Sequence, residues 1–320
     1  MPRSSRHGIC IALFVLATAA LAAPACGASS NADDASFPKV ISLGKGEIFP
    51  SILNQSLAVG PNRVSIGLTG RDDNRVLDAT VHLRFYNLND GKSVFSSEAE
   101  ARFVPVDLSY VDEQSPTKET SPAGSNGVYV ATAGFDAPGD WGVKISITRG
   151  GRTLDPVPYK FNVLDHSSEP GIGDPAPPSV QQTLANVSDI EQIDSSYPSR
   201  RQMHQLTVAD AITSGRPTVV AFATPAFCRS RTCAPVMDTV IDPLYAKYAT
   251  QANFLHIEPY DLAHLRAANI EDEIPATREW KLQSEPWVFV IDRQGKVAAK
   301  FEGIMAEDEV ELALKQALGQ

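Results

Sequence analysis

The chain is poor in cysteine and in basic residues. Only four of its 320 residues are cysteine, and its 28 lysine and arginine residues are outnumbered by 38 aspartate and glutamate residues, which gives a net charge of −10. Four cysteines are too few for a small protein held together by a disulfide framework. The acidic balance argues against nucleic-acid binding, which needs a basic surface. The sequence also lacks a glycine-rich phosphate loop and a nucleophile elbow.

Apolar residues, by contrast, are plentiful. They make up 43% of the chain, and charged residues make up 21%. This composition is enough to bury hydrophobic cores, so a chain that is disordered throughout is excluded. Because domains typically contain roughly 100–200 residues, the length predicts about two of them.

The first 25 residues have the pattern of an export signal. Arg3 and Arg6 provide a positively charged start, residues 8–25 are almost all apolar or small, and small polar residues follow. This order is typical of a secretory signal peptide. We therefore expect residues 1–25 to be a signal peptide and the remaining chain to lie outside the cytoplasm.

The end of this segment carries a possible lipid attachment site. Residues 21–27, with the sequence LAAPACG, resemble a bacterial lipobox, although Ala23 and Pro24 depart from the usual pattern. The resemblance implies that Cys26 is lipidated, so that the protein is a lipoprotein anchored to the cell membrane. Ordinary cleavage, which would give a secreted protein, and an uncleaved anchor helix stay open as alternatives. Residues 26–37 are small and polar, and they predict a flexible tether.

Residues 38–165 have the pattern of an all-β domain. Apolar and polar residues alternate in segments such as 81–86 and 143–147, and turn signals separate these segments. Several such strands predict a β-sandwich. The turn at 136–141 resembles immunoglobulin-like modules of exported bacterial proteins, which implies an Ig-like sandwich. Because His82 is the only histidine here, we expect a spacer or binding module without a metal site.

Two segments are predicted to lack regular structure. Residues 112–127 are rich in Ser, Pro, Thr and Gly, and they predict a mobile loop. Residues 166–178 are rich in proline and predict a stiff linker. Beyond this linker we place a second domain at residues 179–320.

The second domain changes to alternating strands and helices. Continuous apolar runs at 217–224 and 287–291 predict strands that are buried on both faces. Segments 234–250 and 306–318 have the apolar spacing of helices. The complete order, β-α-β-α-β-β-α, predicts an α/β fold with a central sheet.

Two cysteines lie between the first of these strands and the helix that follows it. Cys228 and Cys233 are separated by four residues. The strand, the cysteine loop and the helix, together with the segment SEPW at 284–287 and a closing hairpin at 292–295, resemble thioredoxin-like proteins, particularly membrane-tethered extracytoplasmic members. The spacing C-x4-C departs from the C-x-x-C of that family.

The resemblance implies a thioredoxin-like fold for residues 179–320 and a thiol–disulfide oxidoreductase activity. Pro286 takes the place of the family's cis-proline, where it would present backbone to an extended substrate peptide. Pro286 and Trp287 would then form a substrate groove. The expected partners are thiols and disulfides of exported proteins.

The residues themselves also favour redox chemistry. A thiolate is the reactive form of cysteine, and helix N-terminal amides and nearby cations stabilise it. Cys233 is predicted to begin the helix, and Arg229 and Arg231 lie in the same loop, so we assign the two arginines a thiolate-tuning role. Four intervening residues let the two Cα atoms approach within the ~4.4–6.8 Å that a disulfide needs. We predict that Cys233 attacks and Cys228 resolves, or the reverse.

Two other functions stay open, so the sequence does not decide whether the protein is an enzyme. A permanent bond between Cys228 and Cys233 would leave a redox-inert binding or scaffold lipoprotein with a thioredoxin fold. A copper-delivery protein would need both cysteines and a distant histidine, for which His256 and His264 are the candidates. Because the third ligand is unsupported, we expect no metal and no cofactor.

Overall fold

The structure is a computed structural model that describes residue 37 and residues 47–112, 117–121 and 124–320. The predicted signal peptide and the predicted lipidation site, Cys26, lie outside these residues. Among the described helices, none is both long enough and apolar enough to cross a membrane.

The first half of the described chain folds as β-strands. They are β1 (Ile48–Ile52), β2 (Gly60–Gly70), β3 (Ala79–Asn87), β4 (Val94–Val106), β5 (Ser109–Asp112), β6 (Thr117–Thr120), β7 (Asn126–Phe135), β8 (Gly139–Arg149), β9 (Arg152–Thr153) and β10 (Val157–Val163). All except β5 and β6 form one antiparallel sheet in the order β1-β2-β7-β4-β3-β8-β10, with β9 attached to β8. β5 and β6 pair with each other as a separate hairpin.

The long strand β4 makes this sheet continuous. Its first half pairs with β3, where Ala101 lies opposite Val81. Its second half pairs with β7, where Arg102 lies opposite Val130. The sheet curls around an apolar core that includes the aromatic residues Phe85, Tyr129, Phe135 and Trp141.

The second half of the chain contains a four-stranded mixed sheet with short helices around it. Its strands are β11 (Thr218–Phe222), β12 (Asn253–Ile257), β13 (Trp287–Ile291) and β14 (Val297–Glu302), in the order β12-β11-β13-β14. Its helices are α1 (Val208–Thr213), α2 (Cys233–Val236), α3 (Asp242–Tyr248), α4 (Leu262–Ala268), α5 (Pro275–Glu279) and α6 (Glu307–Leu318), and 3-10 turns lie at Asn89–Gly91, Ile190–Gln192 and Arg201–Met203. Every residue of β11, β12 and β13 is buried. This burial on both faces explains why β11 and β13 lie in the continuous apolar runs at 217–224 and 287–291.

A single helical run begins at Cys233. A π-helical turn, Met237–Ile241, joins α2 to α3. Pro243 lies in the first turn of α3 and has no N–H to donate to the preceding turn, and the wider π-turn accommodates this missing bond. The helix predicted over 234–250 is therefore present, with an irregularity where Pro243 predicts a kink.

The first sheet packs through polar and apolar contacts against α6 and the loop that precedes it. Arg63 of β2 places its Nε 2.9 Å from Glu309 Oε1 of α6, and its Nη2 donates to the Ile304 carbonyl at 2.8 Å. A small apolar cluster joins the same two regions, with members Val104, Val128, Val130, Ile304 and Ala306.

The predicted fold class, a two-domain chain with an all-β Ig-like sandwich and an α/β thioredoxin-like fold, is wrong. Of the residues that the structure describes, strands make up 38% and helices only 21%, so the chain is mostly β-structure. A sandwich would divide the first strands between two sheets, whereas β4 joins them into one curled sheet. The described residues of the two regions also belong to one compact unit.

Candidate functional site

The loop between β11 and α2 brings the two cysteines together. Cys228 and Cys233 form a disulfide bond with their Cα atoms 5.9 Å apart, which is inside the range that disulfides occupy. Arg231 has a left-handed backbone with a φ of 58°, and its N–H donates to the Cys228 carbonyl at 3.0 Å. This tight turn reverses the chain so that Cys233 begins α2.

Two polar groups lie close to the sulfur of Cys228. The N–H of Cys233 donates to Cys228 Sγ at 3.3 Å, and the Ser230 hydroxyl lies 3.2 Å from the same sulfur. Cys228 is 5% exposed, whereas Cys233 is fully buried in the apolar core. Because a helix N-terminus and hydrogen-bond donors stabilise a thiolate, the arrangement favours Cys228 as the reactive sulfur.

The hairpin of β5 and β6 covers the cysteine loop. The N–H of Ser109 donates to the Arg231 carbonyl at 3.0 Å, and the N–H of Val111 donates to the Pro225 carbonyl at 3.4 Å. β5 therefore pairs with β6 on one edge and with the loop on the other. The segment 112–127, predicted as a mobile loop, thus contains β6 and the start of β7, and that prediction is wrong for these residues.

Glu285 belongs to this site, although its place beside Pro286 is the only sign of it in the sequence. One of its carboxylate oxygens and the two cysteine sulfurs all lie within 4.8 Å of one another. The Tyr260 hydroxyl donates to Glu285 Oε2 at 2.8 Å. Burial raises the pKa of Glu285 above its ordinary value, against the lowering effect of this hydrogen bond. A carboxyl group of this kind is suited to exchange a proton with a cysteine, and the three groups could also bind a metal ion when the sulfurs are reduced.

The two predicted thiolate-tuning arginines lie in the loop between the cysteines. The side chain of Arg229 is 78% exposed, and its Nε lies 2.7 Å from Glu271 Oε1. Arg231 contributes its backbone to the turn and to the contact with β5. The contacts on the Cys228 sulfur described above therefore come from a backbone N–H and a hydroxyl, while the charge of Arg229 is paired with Glu271.

The two predicted groove residues lie just before and at the start of β13. The peptide bond between Glu285 and Pro286 is cis. Trp287 is 3% exposed, its ring stacks on Phe289 with centroids 5.5 Å apart, and its Nε1 donates to Ser284 Oγ at 3.1 Å. The structure thus places the Trp287 side chain in the apolar core.

A second cluster of titratable side chains is buried at the end of β11. Its members are at most 5% exposed: Asp194, His204, His256 and Glu258. Nε2 of His204 lies 3.3 Å from Asp194 Oδ2, and Nδ1 of His256 lies 3.5 Å from Asp194 Oδ1. Nε2 of His256 lies 3.0 Å from the carbonyl oxygen of Ala223. The first three residues bring their ligand atoms close enough together to bind one metal ion.

Burial and neighbouring charges shift the pKa values of three of these groups. Burial lowers the pKa of His256 to about 4, against the effect of the neighbouring Asp194 charge. It raises the pKa of Glu258 to about 8. Burial also acts to raise the pKa of Asp194, but its contacts with His204 and His256 outweigh this and hold that pKa well below its ordinary value. At neutral pH, His256 is therefore neutral and Asp194 is ionised.

A pocket of about 620 Å³ opens beside the cluster, and His204, His256 and Glu258 line part of it. His264, the other histidine considered for copper delivery, is exposed and lies with its Nδ1 3.0 Å from Asp272 Oδ2. Of the two histidines, it is His256 that joins a buried set of potential ligands.

Comparison with known proteins adds two distant structural neighbours. The chain matches no known protein-family model, and no curated protein matches its sequence. The reeler domain of human F-spondin is 12% identical with a TM-score of 0.21, and the match covers 38% of this chain and 91% of that chain. The soluble domain of PmoD from Methylocystis sp. ATCC 49242 (Rockwell) is 13% identical with a TM-score of 0.21, and the match covers 41% of this chain and 98% of that chain. Similarity at this level identifies no family.

Proposed function

We propose that this protein is an extracytoplasmic thiol–disulfide oxidoreductase, anchored to the membrane through Cys26, that exchanges its Cys228–Cys233 disulfide with exported proteins. The observation that carries the proposal is the hydrogen bond of 3.3 Å from the Cys233 N–H to Cys228 Sγ at the start of a helical run. When the disulfide is reduced, the same N–H stabilises a thiolate on Cys228. The export pattern of residues 1–25 supports a location where disulfides form and persist.

Exchange proceeds through a mixed disulfide. A thiolate of the partner attacks Cys228 Sγ, the Cys228–Cys233 bond breaks, and Cys233 leaves as a thiolate that takes a proton from Glu285. A second thiolate of the partner then attacks the partner sulfur bound to Cys228, which forms the partner's disulfide and releases Cys228 as a thiolate. Two electrons pass from the partner to the cysteine pair, and Glu285 regains its proton from solvent. The same steps in reverse reduce a disulfide of the partner.

Access to Cys228 requires that the β5–β6 hairpin move. Cys228 is only 5% exposed, and β5 lies along the cysteine loop, where the N–H groups of Ser109 and Val111 donate to loop carbonyls. An extended segment of a partner could pair with the same carbonyls once β5 is displaced, as in other cases of strand addition. The hairpin therefore keeps the disulfide protected until a partner competes for its place.

The test is a trapping experiment on the full chain. In Cys233→Ser, the Cys228 thiolate still attacks a disulfide of a partner, but no second thiol releases the product. We expect this variant to form mixed disulfides with oxidised glutathione and with exported proteins, and the matched Cys228→Ser variant to form at least about tenfold fewer. The double variant gives the background from other cysteines. The proposal is overturned if Cys233→Ser forms no more adducts than the double variant, or if the pair has a reduction potential well below about −300 mV, as structural disulfides have.

Replacement of Glu285 by glutamine tests its role as a proton donor. We expect Glu285→Gln to slow the reduction of the disulfide by a dithiol peptide about tenfold, because the departing Cys233 thiolate loses its proton source. The carboxyl group is protonated below its raised pKa, so the wild-type rate, divided by the concentration of peptide thiolate, falls as the pH rises through that pKa. Stopped-flow measurement of the rate against pH checks this.

The glutamine variant should show no such pH-dependent fall. Glu100→Gln, which changes an exposed side chain of β4, is the matched control and should keep the wild-type profile. Identical profiles for wild type and Glu285→Gln would remove Glu285 from the mechanism while leaving the exchange itself intact.

A further inference from the structure

The buried cluster of Asp194, His204 and His256 takes no part in the proposed exchange, and its geometry suits a metal ion. Nε2 of His204 lies 3.3 Å from Oδ2 of Asp194, and Nδ1 of His256 lies 3.5 Å from Oδ1 of the same carboxylate. Ligand atoms bound tetrahedrally at ~2.1 Å from a zinc ion lie about 3.4 Å apart. Both contacts are close to this spacing, and one ligand atom from each of the three side chains lies within 4.8 Å of the other two.

The histidine nitrogens that face Asp194 lack hydrogen-bond partners. Nε2 of His204 and Nδ1 of His256 are both buried without a partner. Nε2 of His256 lies 3.0 Å from the Ala223 carbonyl, which only accepts, so the ring proton is on Nε2 and Nδ1 carries a lone pair. This lone pair faces a carboxylate oxygen, which also only accepts. Two buried acceptors in this position require a cation between them.

The surroundings hold the ligands in place without supplying that cation. Asp194 accepts hydrogen bonds from the backbone N–H groups of Ser196 at 2.8 Å and Arg200 at 2.6 Å. The guanidinium of Arg200 is directed elsewhere, with Nη2 2.6 Å from Asp238 and 2.8 Å from Asp242. Backbone contacts that orient the ligands, including that of His256 with Ala223, are typical of the shell around a metal site.

We propose that Asp194, His204 and His256 bind one divalent transition-metal ion of the zinc class. Two imidazole nitrogens and one carboxylate oxygen are a ligand set that Zn²⁺ accepts, with a fourth position left open. The pocket of about 620 Å³ that His204 and His256 line provides the route for the ion. The same pocket leaves room for a water molecule in the fourth position. This conclusion departs from the sequence-based expectation of no metal.

The test uses the full chain, stripped with a chelator and reloaded with Zn²⁺. We expect one equivalent of zinc per chain by elemental analysis, and a loss of affinity of at least about 100-fold in His204→Gln and in Asp194→Asn. His264→Gln removes an exposed histidine and should bind zinc as the wild type does. The Cys228→Ser/Cys233→Ser double variant should also keep its zinc, which separates this site from the cysteine pair and its redox role.

A second measurement on the wild type guards against variants that do not fold. Co²⁺ loaded into the disulfide-bonded chain should give visible bands of nitrogen and oxygen coordination without a sulfur charge-transfer band. A sulfur band would overturn the proposal by placing the ion on the cysteines. Wild-type protein that retains less than about a tenth of an equivalent of zinc after reloading would also overturn it, because a proton would then be the cation of the cluster.

Discussion

In Glu169→Gln, the free energy of unfolding at neutral pH falls by about 3–5 kcal/mol, the loss expected when one partner of a buried ion pair is removed. The side chain of Glu169 is only 1% exposed, and its Oε1 accepts from Lys300 Nζ at 2.6 Å. The hydroxyls of Ser56 and Ser168 each donate to the same carboxylate at 2.9 Å. A neutral amide leaves the Lys300 charge without its partner, and urea denaturation at neutral pH measures the loss.

The same variant changes the response to acid. Burial acts to raise the pKa of Glu169, but the charge and hydrogen bond of Lys300 outweigh it and lower that pKa below its ordinary value of 4.5. As the pH falls, Glu169 is therefore protonated at a higher pH in the unfolded chain than in the folded protein. The stabilisation is fully present at a pH above the pKa that Glu169 has in the unfolded chain. It is lost as the pH falls through the lower pKa that Glu169 has in the folded protein. Glu169→Gln lacks this group, so its unfolding free energy should decline less than that of the wild type on acidification.

An exposed glutamate provides the comparison for both effects. Glu100→Gln makes the same change of charge on the surface, where the expected effect is within about 0.5 kcal/mol. Because Glu169 links Ser56 of the first region to Lys300 of β14, the wild type should unfold in one transition that both regions share. A loss in Glu169→Gln no larger than that in Glu100→Gln would contradict the assignment of a buried ion pair.

The positions of the buried strands follow from the sequence, but their assembly does not. The apolar run at 287–291 coincides with β13, and the run at 217–224 contains β11, because a strand buried on both faces has few polar residues. The start of β4 could not be predicted in this way. β4 begins at Val94 with the sequence VFSSEAE, and the small and polar residues of this segment give no apolar pattern that would indicate a strand. This first half of β4 pairs with β3 and makes the sheet continuous. The prediction of a two-sheet sandwich is wrong because the sequence does not indicate this pairing.

In the candidate sites, too, the sequence indicates residues that are close together in the chain but not residues that only the fold brings together. Cys228 and Cys233 are visible in the sequence because their chemistry depends on a loop and the helix that follows it. Asp194 and His204 lie in a polar stretch without periodicity, and only the tertiary fold brings them to His256 in β12. Glu285 approaches the cysteines for the same reason, and a single sequence contains no pattern that pairs it with them.

The hairpin over the cysteine loop leads to the second large effect. In Ser109→Pro, the disulfide should be reduced by dithiothreitol about 10–100-fold faster than in the wild type. Proline has no N–H, so the bond of 3.0 Å to the Arg231 carbonyl is lost. A local loss of about 1.4–2.7 kcal/mol in a segment that opens before reduction raises the open population about 10–100-fold. The rate of thiol release under excess dithiothreitol measures it.

Ser109→Ala separates the backbone bond from the side chain. The Ser109 hydroxyl is buried without a hydrogen-bond partner, so alanine removes an unused group and keeps the N–H that binds Arg231. The alanine variant should therefore react within about twofold of the wild type. Equal rates in the proline and alanine variants would show that β5 does not limit access to Cys228. Removing a cover exposes the sulfur and speeds reduction. If Ser109→Pro were instead reduced more slowly than the wild type, β5 would hold the loop in its reactive form and would not act as a cover.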